Sequence, residues 1–154
     1  MEEFIFRNGR KCPQIKSRVI LIDDDEDDQL IFLNTMERIN PHLKCVTAWN
    51  GMEALEQLSR MKTMPEAIFL DLNMPRMSGE QFLDAFAETT NAGRIPVIVM
   101  TTSADIRTVE ISLGKGASHY IIKPNKDAEW LEALKPILGT QKITAKNGQL
   151  KRQV

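Results

Sequence analysis

The sequence predicts an α/β domain built on a doubly wound, five-stranded parallel sheet with helices on both faces. Five short apolar runs alternate with longer segments whose apolar residues recur every three or four positions, as they do in helices. Three of the runs are continuously apolar, which is typical of parallel strands that helices cover on both sides. The predicted strands are residues 19–22, 44–48, 67–70, 97–100 and 120–122.

The segments that follow the runs are predicted helices. In the first of them Leu30 and Leu33 fall on one face, and in the last Leu131, Leu134 and Leu138 do the same. Because strands and helices alternate regularly, the connections should be right-handed crossovers between parallel strands. Glycine and proline residues mark the boundaries at Pro41, Pro65, Gly93, Pro96, Gly114 and Gly116.

The length of 154 residues fits one domain with a sizeable core. We expect this domain at residues 18–139, after an N-terminal extension at 1–17 and before a flexible basic tail at 140–154. No apolar run approaches the roughly 20 residues needed to cross a bilayer. The first residues do not resemble a signal peptide, so we expect a cytoplasmic protein with reduced cysteines.

The charges are distributed unevenly. The net charge is −1, but both ends of the chain are basic, so the region between them is acidic. An acidic body is unsuited to binding the phosphate backbone of nucleic acids. It is suited to a site that gathers carboxylates around a metal ion. The basic ends are predicted to be solvated tails, and neither nucleic acid nor a membrane is an expected partner.

Polar residues follow four of the five apolar runs. Asp23 and Asp24 come after the first run, Asp71 after the third, Thr101 after the fourth and Lys123 after the fifth. All strands of a parallel sheet end at the same edge, and ligands of open α/β sheets bind there, where the strand order reverses. The sequence therefore predicts one pocket that contains carboxylates, a hydroxyl and an ammonium group.

The segment Asp-Leu-Asn-Met-Pro-Arg-Met-Ser-Gly at 71–79, together with these strand-end residues, resembles the response regulator receiver family of two-component signalling. The resemblance extends over about residues 18–139. It implies a flavodoxin-like sheet of order 2-1-3-4-5, with the first and third strands at the reversal point. It also implies a cis peptide bond between Lys123 and Pro124.

The resemblance implies that Asp71 accepts a phosphoryl group from a sensor histidine kinase or a histidine phosphotransfer protein, with Mg²⁺ as the cofactor. Asp24 and Asp71 would bind the ion directly, Asp23 mostly through water, and Asn73 through its backbone carbonyl. Lys123 would pair with Asp71 and then with a phosphoryl oxygen. The positive charges are needed because a carboxylate and a phosphoryl group repel each other.

The resemblance also implies a conformational switch. Thr101 would donate its hydroxyl to the phosphoryl group, and Tyr120 would swing inward to fill the vacated space. The face of the fourth helix, fifth strand and fifth helix would then change its shape for a downstream protein or for a phosphorylation-dependent homodimer. Asn73 and Ser103 occupy the positions that modulate hydrolysis of the acyl phosphate.

We expect a stand-alone receiver, because no second globular segment or DNA-binding output domain follows residue 139. Such a protein is a phosphoacceptor rather than an enzyme. One departure from the family pattern is Asn125, which follows Pro124 where receivers often have phenylalanine. This departure leaves the expected chemistry intact but bears on the packing at the start of the fifth helix.

Two other functions are compatible with parts of this pattern. A pseudo-receiver would keep the fold without being phosphorylated, although the set of strand-end residues is complete. A haloacid-dehalogenase-like phosphohydrolase would also form an aspartyl phosphate, but it needs a second acid two residues after the nucleophile, where this chain has Asn73. Sustained turnover of phosphomonoesters would distinguish such an enzyme from a receiver.

The acidic run from Asp25 to Asp28 is interpreted as the start of a helix, because acids are favoured at the positive end of the helix dipole. Asp23, Asp25 and Asp27, at alternate positions, also resemble the start of a calcium-binding loop. However, Asp28 stands where that loop requires glycine, and Asn34 stands where it requires a bidentate glutamate. A calcium loop is therefore excluded.

Overall fold

The structure is a computed structural model that describes residues 15–102 and 106–139. Its five strands form one parallel sheet in the order β2-β1-β3-β4-β5. The predicted fold class and strand order are therefore confirmed. The elements are β1 (Arg18–Ile22), α1 (Glu26–Ile39), β2 (Lys44–Ala48), α2 (Gly51–Arg60), β3 (Ala67–Asp71), α3 (Gly79–Ala87), β4 (Val97–Thr101), α4 (Ile106–Gly114), β5 (His119–Ile122) and α5 (Asp127–Leu138).

Burial of the strands explains why three of the apolar runs are continuous. Strands β3 and β4 are buried at every residue, and β1 is buried at every residue except Arg18. The edge strands β2 and β5 are partly exposed, and β5 alternates between buried and exposed side chains. A strand covered by helices on both faces needs apolar side chains at every position, whereas an edge strand does not.

The helices form a layer on each side of the sheet. On one side α1 and α5 cover a core in which the rings of Phe32 and Phe69 meet edge to face, with their centroids 4.9 Å apart. On the other side Phe82 and Phe86 of α3 stack at 5.6 Å. Burying an aromatic side chain of this size contributes about 1.5–3 kcal/mol. These two layers keep the sheet rigid beneath its polar edge.

Side-chain caps mark the starts of α1, α2 and α3, which lie at the carboxyl edge of the sheet. The Asp25 side chain accepts a hydrogen bond from the backbone N–H of Asp28 at the start of α1, and Asn50 caps α2 in the same way. Ser78 and Gln81 form a reciprocal capping box at the start of α3. Each cap satisfies backbone donors that the first helical turn leaves without partners.

The expectation of a cis bond between Lys123 and Pro124 is wrong, because no peptide bond in the described part of the chain is cis. Before proline the trans isomer is the more stable one by about 0.5–1 kcal/mol. The backbone N–H of Lys123 donates to the carbonyl of Thr101 at 2.7 Å, so the chain stays hydrogen-bonded to the end of β4 for one residue beyond β5.

Residues 15–17, which belong to the predicted N-terminal extension, pack on the domain. Ile15 is buried in the core beside α1 and α5. One carboxylate oxygen of Glu66 accepts hydrogen bonds from the backbone N–H groups of Lys16 (3.0 Å), Ser17 (2.6 Å) and Arg18 (3.3 Å). Burial by itself raises the pKa of Glu66, but these hydrogen bonds outweigh it and hold the pKa below its ordinary value.

The remainder of the predicted extension (1–14) and of the basic tail (140–154) lies outside the described residues, as does Ser103. Within the part that is described, no helix is both long and apolar enough to cross a membrane.

We expect Glu66→Ala to lower the free energy of unfolding by about 0.5–1.5 kcal/mol, because three backbone donors exchange their carboxylate acceptor for water. Urea denaturation at neutral pH measures this difference. Glu56→Ala is the matched control, since Glu56 forms an exposed ion pair with Arg60 within α2, and such pairs contribute about 0–1 kcal/mol. Equal losses in the two variants would contradict an anchoring role for Glu66.

Candidate functional site

The ends of four strands bring the polar residues named above to one edge of the sheet. Asp71 is the last residue of β3 and Thr101 is the last residue of β4, one position further than each strand was predicted to extend. Asp23 and Asp24 directly follow β1, and Lys123 directly follows β5. Strands β1 and β3 are neighbours at the point where the strand order reverses, which is where ligands of this architecture bind.

Three carboxylates form the acidic part of the site. Asp23, Asp24 and Asp71 each offer an oxygen, and these three oxygens lie within 4.8 Å of one another. Asp23 and Asp71 are buried, whereas Asp24 is exposed. Carboxylate oxygens with one side open to water are the ligand set that Mg²⁺ prefers, because this ion keeps part of its hydration shell. These residues therefore fit a hard divalent cation.

Backbone N–H groups orient the two buried carboxylates. Oδ1 of Asp23 accepts a hydrogen bond from the N–H of Asp25 at 3.0 Å, and Oδ1 of Asp71 accepts one from the N–H of Asn73 at 3.1 Å. The side chain of Gln29 donates to the backbone carbonyl of Asp23 at 2.7 Å. With Oδ1 fixed in this way, Oδ2 of each carboxylate faces Lys123.

The ammonium group of Lys123 lies among these carboxylates. Its Nζ is 2.9 Å from Oδ2 of Asp23 and 3.5 Å from Oδ2 of Asp71. A third carboxylate, that of Asp28, is closer still, at 2.8 Å. The contacts with Asp23 and Asp28 are hydrogen bonds, whereas the contact with Asp71 is at ion-pair distance. Only 6% of the lysine side chain is exposed, so its charge acts in a poorly hydrated environment.

Asp28 is the site residue that the sequence analysis missed. We interpreted it as an ordinary acid of a first helical turn, and it does occupy that turn. An N-cap at Asp25 places residue 28 beside the buried Gln29, at the end of α1 nearest the sheet edge. Helical spacing counted from the cap could have indicated a position close to the pocket, but it could not have identified Lys123 as the partner.

The buried ionisable groups of this pocket have shifted pKa values. Burial raises the pKa of Asp71 to about 7, since the opposing charge of Lys123 does not offset burial and the nearby charge of Asp23. Burial also raises the pKa of Asp23 above its ordinary value. Burial lowers the pKa of Lys123, but its hydrogen bond with Asp28 and the charge of Asp23 outweigh this effect, so the net shift is upward.

The predicted switch residues occupy different environments. Thr101 is buried at the end of β4. Tyr120 is 41% exposed, on the same outward face of β5 as Ile122, so it is not an ordinary core aromatic. Asn73 is exposed, in the loop that follows β3.

Gly79, the last residue of the 71–79 segment, has a steric role at this site. A Cβ atom there would lie 2.7 Å from Cα of Leu72 and 2.8 Å from the backbone oxygen of Asp71. The N–H of Gly79 also donates to the carbonyl of Leu72 at 3.1 Å. The start of α3 thus lies directly against the backbone that carries Asp71, and any side chain would displace one from the other.

Comparison with known proteins gives the family. The profile of the response regulator receiver domain matches residues 19–135. The chain belongs to the response regulator receiver family. Members of this family are signalling modules of two-component systems, and the acidic pocket of Asp23, Asp24 and Asp71 fits the phosphoacceptor site of such a module.

The receiver is similar to proteins of different lengths. Chemotaxis protein CheY1 of Helicobacter pylori is 28% identical over 80% of this chain and 98% of its own length. Transcriptional regulatory protein PrrA of Mycobacterium leprae is 31% identical over 85% of this chain, which spans about half (54%) of PrrA. The phosphorylated cyanobacterial phytochrome response regulator RcpA superposes with a TM-score of 0.72 at 26% identity, covering 78% of this chain and 89% of RcpA.

We expect the stability of the metal-free receiver to fall as the pH rises from about 4 to about 7. In this range folded Asp71, with its pKa of about 7 against 3.8 ordinarily, holds a proton that the unfolded chain has lost. The folded state then binds more protons, so the Asp71 contribution to the unfolding free energy falls by at most about 1.4 kcal/mol per pH unit, near the middle of this range.

Chemical denaturation at several pH values, with a chelator present, measures this slope. Asp71→Asn cannot titrate and should flatten the slope. An identical slope in the variant would show that Asp71 is already ionised at pH 5.

Proposed function

We propose that this receiver accepts a phosphoryl group on Asp71 from a sensor histidine kinase or a histidine phosphotransfer protein, with Mg²⁺ as cofactor. The supporting observation is the position of the Asp71 carboxylate at the reversal of the strand order. There it lies within 4.8 Å of oxygens of Asp23 and Asp24, and 3.5 Å from the ammonium of Lys123.

In the proposed reaction a carboxylate oxygen of Asp71 attacks the phosphorus of a phosphohistidine. The O–P bond forms as the P–N bond breaks, and the electron pair of the broken bond leaves on the imidazole nitrogen. Asp71 must be ionised to act as the nucleophile. Lys123 favours this ionised form, because its positive charge lies next to Oδ2 of Asp71.

The residues that would hold Mg²⁺ are Asp24 and Asp71 directly, Asp23 mostly through water, and Asn73 through its backbone carbonyl. The hydrogen bond between the Asn73 N–H and Asp71 supports this assignment, since it places that stretch of backbone beside the carboxylates. When bound, the ion supplies positive charge that reduces the repulsion between the carboxylate and the incoming phosphoryl group. The raised pKa of Asp71 is consistent with a pocket that needs such a charge.

The phosphoryl group would act on the α4-β5-α5 face through Thr101 and Lys123. The Thr101 hydroxyl donates to a phosphoryl oxygen, Lys123 pairs with another, and Tyr120 turns inward from its exposed position on β5. The apolar side chains exposed on α4 and β5 support protein binding at this face, because such patches mark interaction sites. They are Ile106, Ile111, Tyr120 and Ile122. The protein that binds this face is a downstream protein or a second, phosphorylated copy of the chain.

Asn73 and Ser103 are proposed to set how fast the acyl phosphate hydrolyses, Asn73 from its exposed position in the loop after β3. A cytoplasmic location is part of this proposal, because the phosphoryl donors are expected there.

Asp71→Asn should abolish phosphorylation, because the amide is not a nucleophile for phosphorus. The measurement is incorporation of labelled phosphate from a phosphorylated histidine kinase or a small acyl-phosphate donor, with about one group per wild-type chain expected. The control is Asp84→Asn, which removes an exposed acid of α3 that pairs with Lys115, the residue after α4. The control should incorporate as much labelled phosphate as the wild type.

Other outcomes of the labelling experiment distinguish the alternative functions. An unlabelled wild type would indicate a pseudo-receiver. Sustained turnover of phosphomonoesters would indicate a phosphohydrolase. Full labelling of Asp71→Asn would place the phosphoryl group on another residue.

Mg²⁺ should raise the melting temperature, because an ion that binds only the folded state stabilises it. At ten times the dissociation constant the gain is about 1.4 kcal/mol. Differential scanning fluorimetry with and without millimolar Mg²⁺ measures this gain. Asp24→Asn should remove most of it and leave the metal-free melting temperature nearly unchanged, since Asp24 is exposed. No shift in the wild type would contradict the metal site.

A further inference from the structure

The hydrogen bond between Lys123 and Asp28 adds a component to the site that lies outside the strand ends. Asp28 is on the first turn of α1 and is 95 residues away from Lys123 in the sequence. Its Oδ2 is 2.8 Å from the ammonium nitrogen, which is 0.7 Å less than the distance from that nitrogen to Asp71. The ammonium group is therefore held closer to Asp28 on α1 than to the proposed phosphoacceptor.

The two carboxylates that bind this ammonium differ in their access to water. The side chain of Asp23 is 1% exposed, whereas that of Asp28 is 29% exposed. If the ammonium moves, water can hydrate the carboxylate of Asp28 but has little access to that of Asp23. Leaving a buried carboxylate unpaired is much more costly than leaving one that water can reach. Asp28 is thus the partner that Lys123 can release.

We propose that Asp28 is a positioning residue that holds Lys123 in the resting receiver and competes with the phosphoryl group for it. This inference rests on the proposed function, in which Lys123 binds a phosphoryl oxygen on Asp71. Charge-assisted hydrogen bonds are roughly twice as strong as neutral ones. A bond of this kind to Asp28 therefore favours the resting state and opposes the state in which Lys123 has moved.

The local structure of α1 holds Asp28 in position. Its backbone N–H donates to the N-cap side chain of Asp25 at 3.0 Å, and the next residue, Gln29, is buried and bonds the carbonyl of Asp23. The first turn is thus tied to the end of β1 and cannot easily follow the lysine. Movement of Lys123 towards Asp71 must then lengthen or break the bond to Asp28.

The experiment compares the affinity of the wild type and Asp28→Asn for beryllium fluoride, a tetrahedral phosphoryl analogue, in the presence of Mg²⁺. Asp28→Asn should bind roughly tenfold more tightly, because a competing charge-assisted hydrogen bond is weakened. Asp27→Asn is the matched control. It removes the same charge from the same turn, but Asp27 is exposed and is not one of the partners of Lys123 among the described residues.

Two further measurements separate positioning from a general structural effect. The ¹⁵Nζ signal of Lys123 in the ligand-free protein should shift, and its protons should exchange faster, in Asp28→Asn but not in Asp27→Asn. In a Lys123→Ala background, Asp28→Asn should no longer change the affinity for beryllium fluoride. Neither result would follow from a change in folding stability alone.

The outcomes distinguish the inference from the function on which it rests. A wild type that binds no more analogue than Asp71→Asn would contradict the proposed function and, with it, this inference. A wild type that binds the analogue, together with an Asp28→Asn variant that binds no more tightly than Asp27→Asn, would overturn the positioning role alone. Weaker binding of beryllium fluoride by Asp28→Asn would also overturn the positioning role, because Asp28 would then favour binding of the phosphoryl analogue.

Discussion

The site depends on one buried ammonium group that compensates several carboxylates. Removing a charge from water costs several kcal/mol unless the charge is paired and hydrogen-bonded. Lys123 and Asp23 are both almost inaccessible to water, and each provides the other's compensation across a distance of 2.9 Å. The same ammonium reaches Asp28 on α1 and Asp71 at the end of β3. One side chain thus links the end of β5 to α1 and to the ends of β1 and β3.

The sheet holds these groups in position. Its three central strands are buried along almost their whole length, and polar side chains appear where the strands end. Backbone N–H groups then fix one oxygen of each buried carboxylate. Gly79 allows α3 to begin against the backbone of Asp71. A rigid apolar scaffold therefore presents a charged edge, which is the arrangement that precise placement of reactive groups requires.

This edge of the sheet carries more carboxylates than positive charges. Burial and the proximity of the carboxylates hold the pKa of Asp71 near 7, so a cation or a phosphoryl group alters the balance of charges there. Lys123 directly follows β5, the strand that carries the exposed Tyr120 and Ile122. Its ammonium group pairs with Asp28 on the first turn of α1.

The sequence by itself determined the strands to within one residue, because continuous apolar runs reflect burial on both faces of a sheet. It also placed Asp23, Asp71 and Lys123 at strand ends, whereas the order 2-1-3-4-5 was inferred from family resemblance. Only the tertiary structure decided the pairing of Lys123 with Asp28, the exposure of Tyr120 and the trans Lys123–Pro124 bond. Local patterns specify which element a residue joins. The partner of a side chain 95 residues away depends on how those elements pack.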